Sequence, residues 1–314
     1  MCADRREGTP GRFLDTLSTP VRLRAAGLTI ESEIALPGLP ETADRNVDVR
    51  FGPGDLEHRD GLTLRAQRFG CTAIGGTRVA VSVWIEPEGD VVPRTVLPAG
   101  LTGIAYQRGL LPLHAAAVQV AGSCIAFCGS SGAGKSTLAS AFGRAGYPIL
   151  SDDLLVVHPS PRERMPPVAW PGPSRSRLDA DSVSLLGEGV VPLTPFSSWD
   201  GKTLAAIGPA PVDAPYPIAA LYLLRWGELG VSRLSPLKAA AMLPQCLRKP
   251  GWLEESGRAT SIRQLWLDLV ARVPVLLLSR PRGTPFPLIL SAVLEACGQG
   301  REERPPLNGD RSHP

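Results

Sequence analysis

The sequence predicts an α/β protein in which a P-loop nucleotide-binding domain follows a small, mostly β domain. Three observations predict it. The segment Gly129-Ser130-Ser131-Gly132-Ala133-Gly134-Lys135-Ser136 satisfies the pattern GxxxxGK[ST], with an apolar run before it and a helical stretch after it. Two adjacent carboxylates, Asp152 and Asp153, fall within the next apolar run. Upstream of about residue 96 the chain is instead a series of short alternating runs divided by turn residues.

Bulk properties narrow the class. The chain has 314 residues, 43% hydrophobic and 20% charged, enough for one large domain or two modest ones around a proper core. A formal charge of +3, evenly spread, argues against a nucleic-acid partner. Of 33 basic residues only Lys135, Lys202, Lys238 and Lys249 are lysines, so each needs its own account. The N-terminal MCADRREGTPGRF has no apolar run behind its basic residues and does not read as a signal peptide. The longest apolar stretches, around Val275–Leu278 and Leu288–Leu294, fall short of the ~20 residues of a membrane span, so no membrane partner is expected. Six cysteines (Cys2, Cys71, Cys124, Cys128, Cys246 and Cys297) form no CxxC pair. Cys124 and Cys128 read as small buried residues, and a cytoplasmic, reducing compartment is expected.

In chain order, residues 1–18 are polar and read as a flexible tail. Residues 19–96 read as the small β domain, through LRAAGLTIESEIALPGL, VDVRFG, LTLRAQRF and RVAVSVWIEP. The pair Gly75–Gly76 and the cluster from Glu86 to Asp90 serve as turns. Residues 97–298 read as the nucleotide-binding domain. Apolar positions 97, 101, 104 and 105 give Leu97–Arg108 a helical spacing. LLPLHAAAVQV and SCIAFC read as strands joined at Ala121–Gly122, and TLASAFGRAG as a helix closed by Gly146. YPILSDDLLVVHP reads as one buried strand, and six prolines between Pro159 and Pro173 demand a loop. Strand PIAALYLLRW, helices near Leu237–Leu247 and Ile262–Arg272, strand VPVLLLSRP and a helix near Leu288–Cys297 follow. The polar tail 299–314 reads as flexible.

The loop from Gly129 to Thr137 is built for phosphate. Its glycines let successive N–H groups converge on phosphate oxygens, and the helix that follows adds its partial positive charge. Lys135 neutralises β/γ oxygens, and the Ser136 hydroxyl is placed to ligate Mg2+. Asp152 and Asp153 lie 17 and 18 residues beyond Lys135, about the length consumed by one helix, a turn and a returning strand. Carboxylates there hold Mg2+, and a pair leaves one free to accept a proton from an attacking hydroxyl. A strand-end turn with two solvated aspartates is the plainer alternative. His114 begins a strand that leads by a tight hairpin into the loop, within reach of the phosphates. Alone, a histidine beginning a strand is more often a satisfied structural residue than a catalytic one.

LHAAAV, GSSGAGKST and LSDDLL, at these spacings, resemble the catalytic domain of HPr kinase/phosphorylase. They resemble still more the HPr-kinase-like proteins of lasso-peptide and related biosynthetic clusters. The resemblance extends from about Leu23 to Leu294, with its specificity concentrated in residues 113–155. It implies a P-loop kinase domain of the HPr kinase/phosphoenolpyruvate-carboxykinase type, with Mg-ATP as donor and a serine hydroxyl as acceptor. By that resemblance Lys135 and Ser136 hold phosphate and metal, Asp152 is the general base, and Asp153 is the metal-side carboxylate. His114 is then the histidine beside the reacting phosphate. The chain departs from the bifunctional enzymes where WPGPSRSRLDADS replaces a Glu-x-Arg-Gly motif, which removes the basis for expecting phosphorylase chemistry. Arg175 and Arg177 are the candidates to replace that arginine, and either fits a solvated loop position as well. Lys202, in WDGKT, stands where many such relatives place a lysine; it touches nucleotide or substrate, or is a solvated loop residue.

The function this predicts is an ATP-dependent serine kinase acting on a peptide or small protein, with a lasso-peptide precursor as the acceptor the resemblance suggests. Two other readings stay open: a kinase of free serine or a sugar, and a nucleotide-gated regulatory protein. No NKxD-type guanine motif is present. The sequence leaves homo-oligomerisation open.

Overall fold

The computed structural model describes residues 14, 16–36, 39–85, 91–173, 175–188, 190–193 and 201–298. The expected tail 299–314 and the turn cluster 86–90 lie outside them, as does most of 1–18. Over the described residues the fold is mixed α/β with three sheets.

The first sheet has six strands: β1 (Thr16–Ala25), β2 (Leu28–Ile34), β3 (Val49–Pro53), β4 (Leu62–Arg65), β5 (Phe69–Ile74) and β6 (Arg78–Val83), in the order β1-β2-β3-β6-β5-β4. Strand β1 begins at Thr16, inside the stretch expected to be tail, because Thr16 still pairs with Ile34 across a bulge. Gly75 and Gly76 turn β5 into β6 with φ of 58° and 69°, the left-handed pair that a tight hairpin requires. LTLRAQRF is not one strand: the chain reverses at 66–68, where Ala66 N–H donates to Phe69 O at 2.8 Å, and β4 pairs antiparallel with β5.

Helix α1 (Val91–Gln107) covers this sheet. It starts six residues before the apolar spacing becomes legible, since Pro93 sits in the first turn, where an N–H has no helical partner anyway. Its glycines set the approach distance. A Cβ at Gly103 would stand 2.4 Å from Ala73 Cβ, and one at Gly100 would stand 2.9 Å from atoms of both Phe51 and Val79.

The chain continues through β7 (Leu111–Leu113), β8 (Ala115–Val120), β9 (Ser123–Cys128), α2 (Lys135–Arg144), β10 (Ile149–Ser151), β11 (Leu155–His158) and β12 (Val168–Ala169). Then come β13 (Ser176–Asp179), α3 (Ala180–Leu186), β14 (Val191–Pro192), β15 (Lys202–Ala206), β16 (Tyr216–Trp226) and β17 (Gly230–Arg233). Helices α4 (Pro236–Ala241), α5 (Leu243–Cys246), α6 (Trp252–Glu255) and α7 (Ala259–Arg272) lead to β18 (Val275–Arg280) and α8 (Phe286–Ala296). The stretch read as one helix near Leu237–Leu247 is two, with Pro244 starting the second.

The second sheet has nine strands and positions the site. Its centre is parallel: β16 pairs in parallel with β9 on one side and with β18 on the other. Strand β8 returns antiparallel on β9, and β10 antiparallel on β8. Side chains alternate between two cores. Ala115, Ala117, Cys124, Ala126, Cys128, Leu221 and Leu223 face the core shared with α1 and the first sheet. Ala116, Val118, Ile125, Phe127, Tyr222 and Leu278 face the core of α2 and α8. Both faces are therefore covered, as a parallel centre demands. Strands β13, β15 and β14, with α3, form a small third sheet that the sequence did not announce. No helix among the described residues is long and apolar enough to cross a membrane.

Helix propensity alone would make Gly103→Ala stabilising by about 1 kcal/mol. The 2.4 Å approach predicts the opposite sign, a loss of about 1–2 kcal/mol from overpacking, read from the urea unfolding midpoint. A raised midpoint would show that α1 can move off the sheet freely.

Candidate active site

The carboxyl ends of the three parallel strands converge: Cys128 leads into the P-loop, and Trp226 and Arg280 end β16 and β18. Open parallel sheets bind ligands at this edge. A cleft of about 340 Å³ lies there, lined by the loop, His114, Asp152, Asp153, Arg177, Lys202 and Arg280, among others.

The loop has the backbone that phosphate binding requires. Gly129, Gly132 and Gly134 take φ of 149°, 77° and 83°, all in the region that other residues avoid. Ala133 N–H donates to Ser130 O, and α2 starts at Lys135. Lys135 is 7% exposed, and its ammonium donates to the carbonyls of Gly129 (2.8 Å) and Ser130 (3.0 Å). Burial pulls its pKa below the ordinary value, against the opposing pull of Cys128, Asp152 and Asp153. Thr137 Oγ1 pairs with Ser182 Oγ on α3 at 2.9 Å, so the loop's far end is tied to the third sheet's helix.

The carboxylates arrive through two breaks in the sheet. YPILSDDLLVVHP is not one strand but β10 and β11, parted at Asp152 and Asp153, because Asp153 has φ 72° and leaves the ladder. LLPLHAAAVQV likewise breaks at His114 into β7 and β8. Ala115 pairs with Cys128 and Ala117 with Ser151, so both breaks lie beside the start of the P-loop. His114 Nδ1 contacts Asp153 Oδ1 (3.1 Å) and Asp153 O (3.2 Å). Both are acceptors, so Nδ1 carries the proton.

The two aspartates are held in opposite ways. Asp152 is 4% exposed; its Oδ1 accepts from Ser136 Oγ at 2.8 Å and its Oδ2 from Arg177 N–H at 2.9 Å. Burial raises its pKa, outweighing those two hydrogen bonds. Burial also opposes ionisation of Asp153, but Arg248, His114 and Arg177 together overcome it and hold this carboxyl well below the usual range. Arg248 Nη2 reaches Asp153 Oδ2 at 2.7 Å and Arg177 Nη1 at 3.3 Å. A segment Pro171-Gly172-Pro173 braces the pair from behind. Pro173 O accepts from Asp152 N–H, Gly172 N–H donates to Leu150 O, and Pro171 O accepts from Ala26 N–H in the first sheet.

The predicted residues largely come together: Ser131, Gly132 and the run from Gly134 to Thr137 line one cleft with His114, Asp152, Asp153, Arg177 and Lys202, whereas Gly129, Ser130 and Ala133 of the loop do not line it. Of the two candidate arginines, Arg177 lies in it and binds Asp153, whereas Arg175 lines a separate cleft beside Pro171 and Pro209. Lys202 opens β15 opposite Asp179. Arg248 was not foreseen. It follows α5, and its backbone is fixed by Arg248 N–H to Pro112 O (3.0 Å) and Tyr106 Oη to Arg248 O (2.9 Å). Only the fold brings it 95 residues back to Asp153, and no local pattern marks it.

The residues present fit a divalent cation. Ser136 Oγ and Asp152 Oδ1 stand together next to Lys135, with Asp153 adjacent, and Mg2+ takes a hydroxyl or one or two carboxylates with phosphates and water completing its shell. Among the described residues no cluster of three or more His, Cys, Asp or Glu is placed to hold a metal unaided.

The two carboxylates should affect stability with opposite signs. Asp152 titrates above the ordinary 3.8 in the folded chain, so the folded state is penalised as pH rises past that value. Asp152→Asn is expected to raise the melting temperature at about pH 7, with the gain shrinking as pH falls toward 3.8. Asp153→Ala takes from Arg248 its carboxylate partner and from Arg177 one of its contacts, and is expected to cost about 3 kcal/mol. Thermal melts of both variants across that pH range decide it; equal effects at all pH would break the assignment.

No protein-family model matches the chain, and no curated protein sequence matches it. Among solved structures, the Hpr(Ser) kinase/phosphatase from Coxiella burnetii aligns with 59% of this chain and 95% of its own, at 11% identity and a TM-score of 0.31. Likeness at that level leaves the functional reading to the residues of the cleft.

Proposed function

We propose that the chain is an ATP-dependent serine kinase of the HPr-kinase type that phosphorylates a peptide or small protein. One observation carries the reading: a buried carboxylate with a raised pKa, Asp152, is hydrogen-bonded to the P-loop serine beside the P-loop lysine. A nucleotide sensor needs the loop and the lysine. It has no need of a proton acceptor held unionised-prone next to them.

In this reading the loop amides and Lys135 hold the β- and γ-phosphates of ATP. Ser136 would hold Mg2+, with Asp153 as the adjoining carboxylate, and the ion would offset phosphate charge. The acceptor serine would take the His114 end of the cleft. Its hydroxyl oxygen bonds to the γ-phosphorus, the bond to the leaving ADP oxygen breaks, and the hydroxyl proton passes to Asp152. His114, protonated on Nδ1 and held by Asp153, lines the cleft. Arg177 and Lys202 add positive charge along the wall where the transferring group carries negative charge.

Lys135→Ala is expected to abolish phosphoryl transfer, and Asp152→Asn to keep nucleotide binding while lowering the transfer rate about 10²–10⁴-fold. The test is mass spectrometry of candidate acceptors incubated with protein, ATP and Mg2+. HPr, a lasso-type precursor peptide and free serine form the panel, and the Asp152 variant is the control. A phosphoryl gain on a peptide serine that disappears with Asp152→Asn supports the proposal. Gain on free serine alone replaces it with the small-molecule reading. Turnover unchanged in Asp152→Asn removes Asp152 as the base.

A further inference from the structure

The cleft has a second end that phosphoryl transfer does not use. Trp226 closes β16, and its side chain stays 40% exposed at the cleft wall. It stands directly against the P-loop: a Cβ at Gly134 would lie 3.6 Å from Trp226 Cη2 and 2.6 Å from Arg280 Nη2. Two guanidinium groups attend the indole, Arg280 at 4.6 Å and Arg282 at 4.8 Å from the ring centroid.

The two arginines are not equivalent. Arg280 is 4% exposed, and its Nη2 donates to Ala133 O at 2.6 Å. Its Nη1 is buried with no hydrogen-bond partner among the described residues. A buried cation with an unmet donor, beside the positive N-terminus of α2, is an unfavourable arrangement unless an anion joins it. Arg282 is exposed and has no hydrogen bond or ion pair among the described residues, so it can exchange its place on the ring at little cost.

Direction follows from the remainder of the cleft. His114, Asp152 and Asp153 occupy the end where the terminal phosphate must react, so the nucleoside points the other way, past Gly134 toward β16 and β18. We infer that Arg280 and Trp226 form the nucleoside end of the site. Arg280 Nη1 donates to the phosphate next to the ribose, and a purine base stacks on the Trp226 indole in the place of Arg282 or beneath it. The inference rests on the nucleotide reading above and adds the residues that would make the site recognise a nucleoside rather than bare phosphate. Indole stacking suits any base, and the larger face of a purine gains more from it.

The experiment separates the two readings by pairing ADP with inorganic pyrophosphate, which has the phosphates and no base. Calorimetric titration of both ligands, with Mg2+, is made on the unaltered protein and on Trp226→Ala, Trp226→Phe, Leu185→Ser and Lys135→Ala. Trp226→Ala is expected to weaken ADP roughly tenfold while changing pyrophosphate less than about twofold, and Trp226→Phe to recover most of the loss. Equal weakening of both ligands would make the indole a support for the loop and overturn the inference. So would unchanged ADP affinity in Trp226→Ala, or a loss confined to Leu185→Ser, which would put the base over α3. Lys135→Ala is expected to weaken both ligands; if neither ligand binds the unaltered protein, the nucleotide reading itself falls.

Discussion

The carboxylate of Asp153 is where separate parts of the chain meet. Three segments distant in sequence reach it: the break before β8 through His114, the third sheet through Arg177, and the loop after α5 through Arg248. Each of the two arginines is largely withdrawn from water, and neither would stay there without a counter-charge. The left-handed backbone at Asp153 makes the meeting possible. It ends the β10 ladder and directs one carboxylate to the arginines while its neighbour, Asp152, faces Ser136. Two chemically identical side chains, adjacent in sequence, are thus given opposite acidities by their surroundings alone.

The topology of the nine-stranded sheet does the remaining positioning. Parallel pairing of β9, β16 and β18 gathers three strand ends at one edge, so Trp226 and Arg280 neighbour the loop although Arg280 lies 147 residues beyond Ala133. Antiparallel return of β8 on β9 then fixes His114 one residue beyond the partner of Cys128. The site needs no long flexible excursion of chain to assemble; it is made of the places where strands stop.

This also explains which parts could be read from the sequence. The loop was legible because its glycines and lysine stand at a fixed local spacing, and Asp152, Asp153 and His114 because they interrupt otherwise apolar runs. The helices α7 and α8 and the hairpin at Gly75–Gly76 carried ordinary periodic or turn signals. Arg248, Arg280 and Trp226 carried none, since their meaning lies in pairings between remote strands. The breaks at His114 and Asp153 were read through as continuous strand because the flanking residues are apolar on both sides and a backbone angle leaves no mark on composition. Strands β13 and β15 were missed for a different reason: they are four and five residues long, too short for a periodic signal, and β13 comes directly after the proline-rich stretch.

The brace Pro171-Gly172-Pro173 has a mechanical consequence. Its carbonyls take one hydrogen bond from Ala26 in the first sheet and one from Asp152, and both of its outer residues have a ring-locked φ. The linkage is short, and its two prolines remove two of its torsions, while Gly172 between them is held by its hydrogen bond to Leu150 O. Displacement of the β1–β2 turn therefore reaches Asp152 through three residues of chain, two of which cannot rotate about φ.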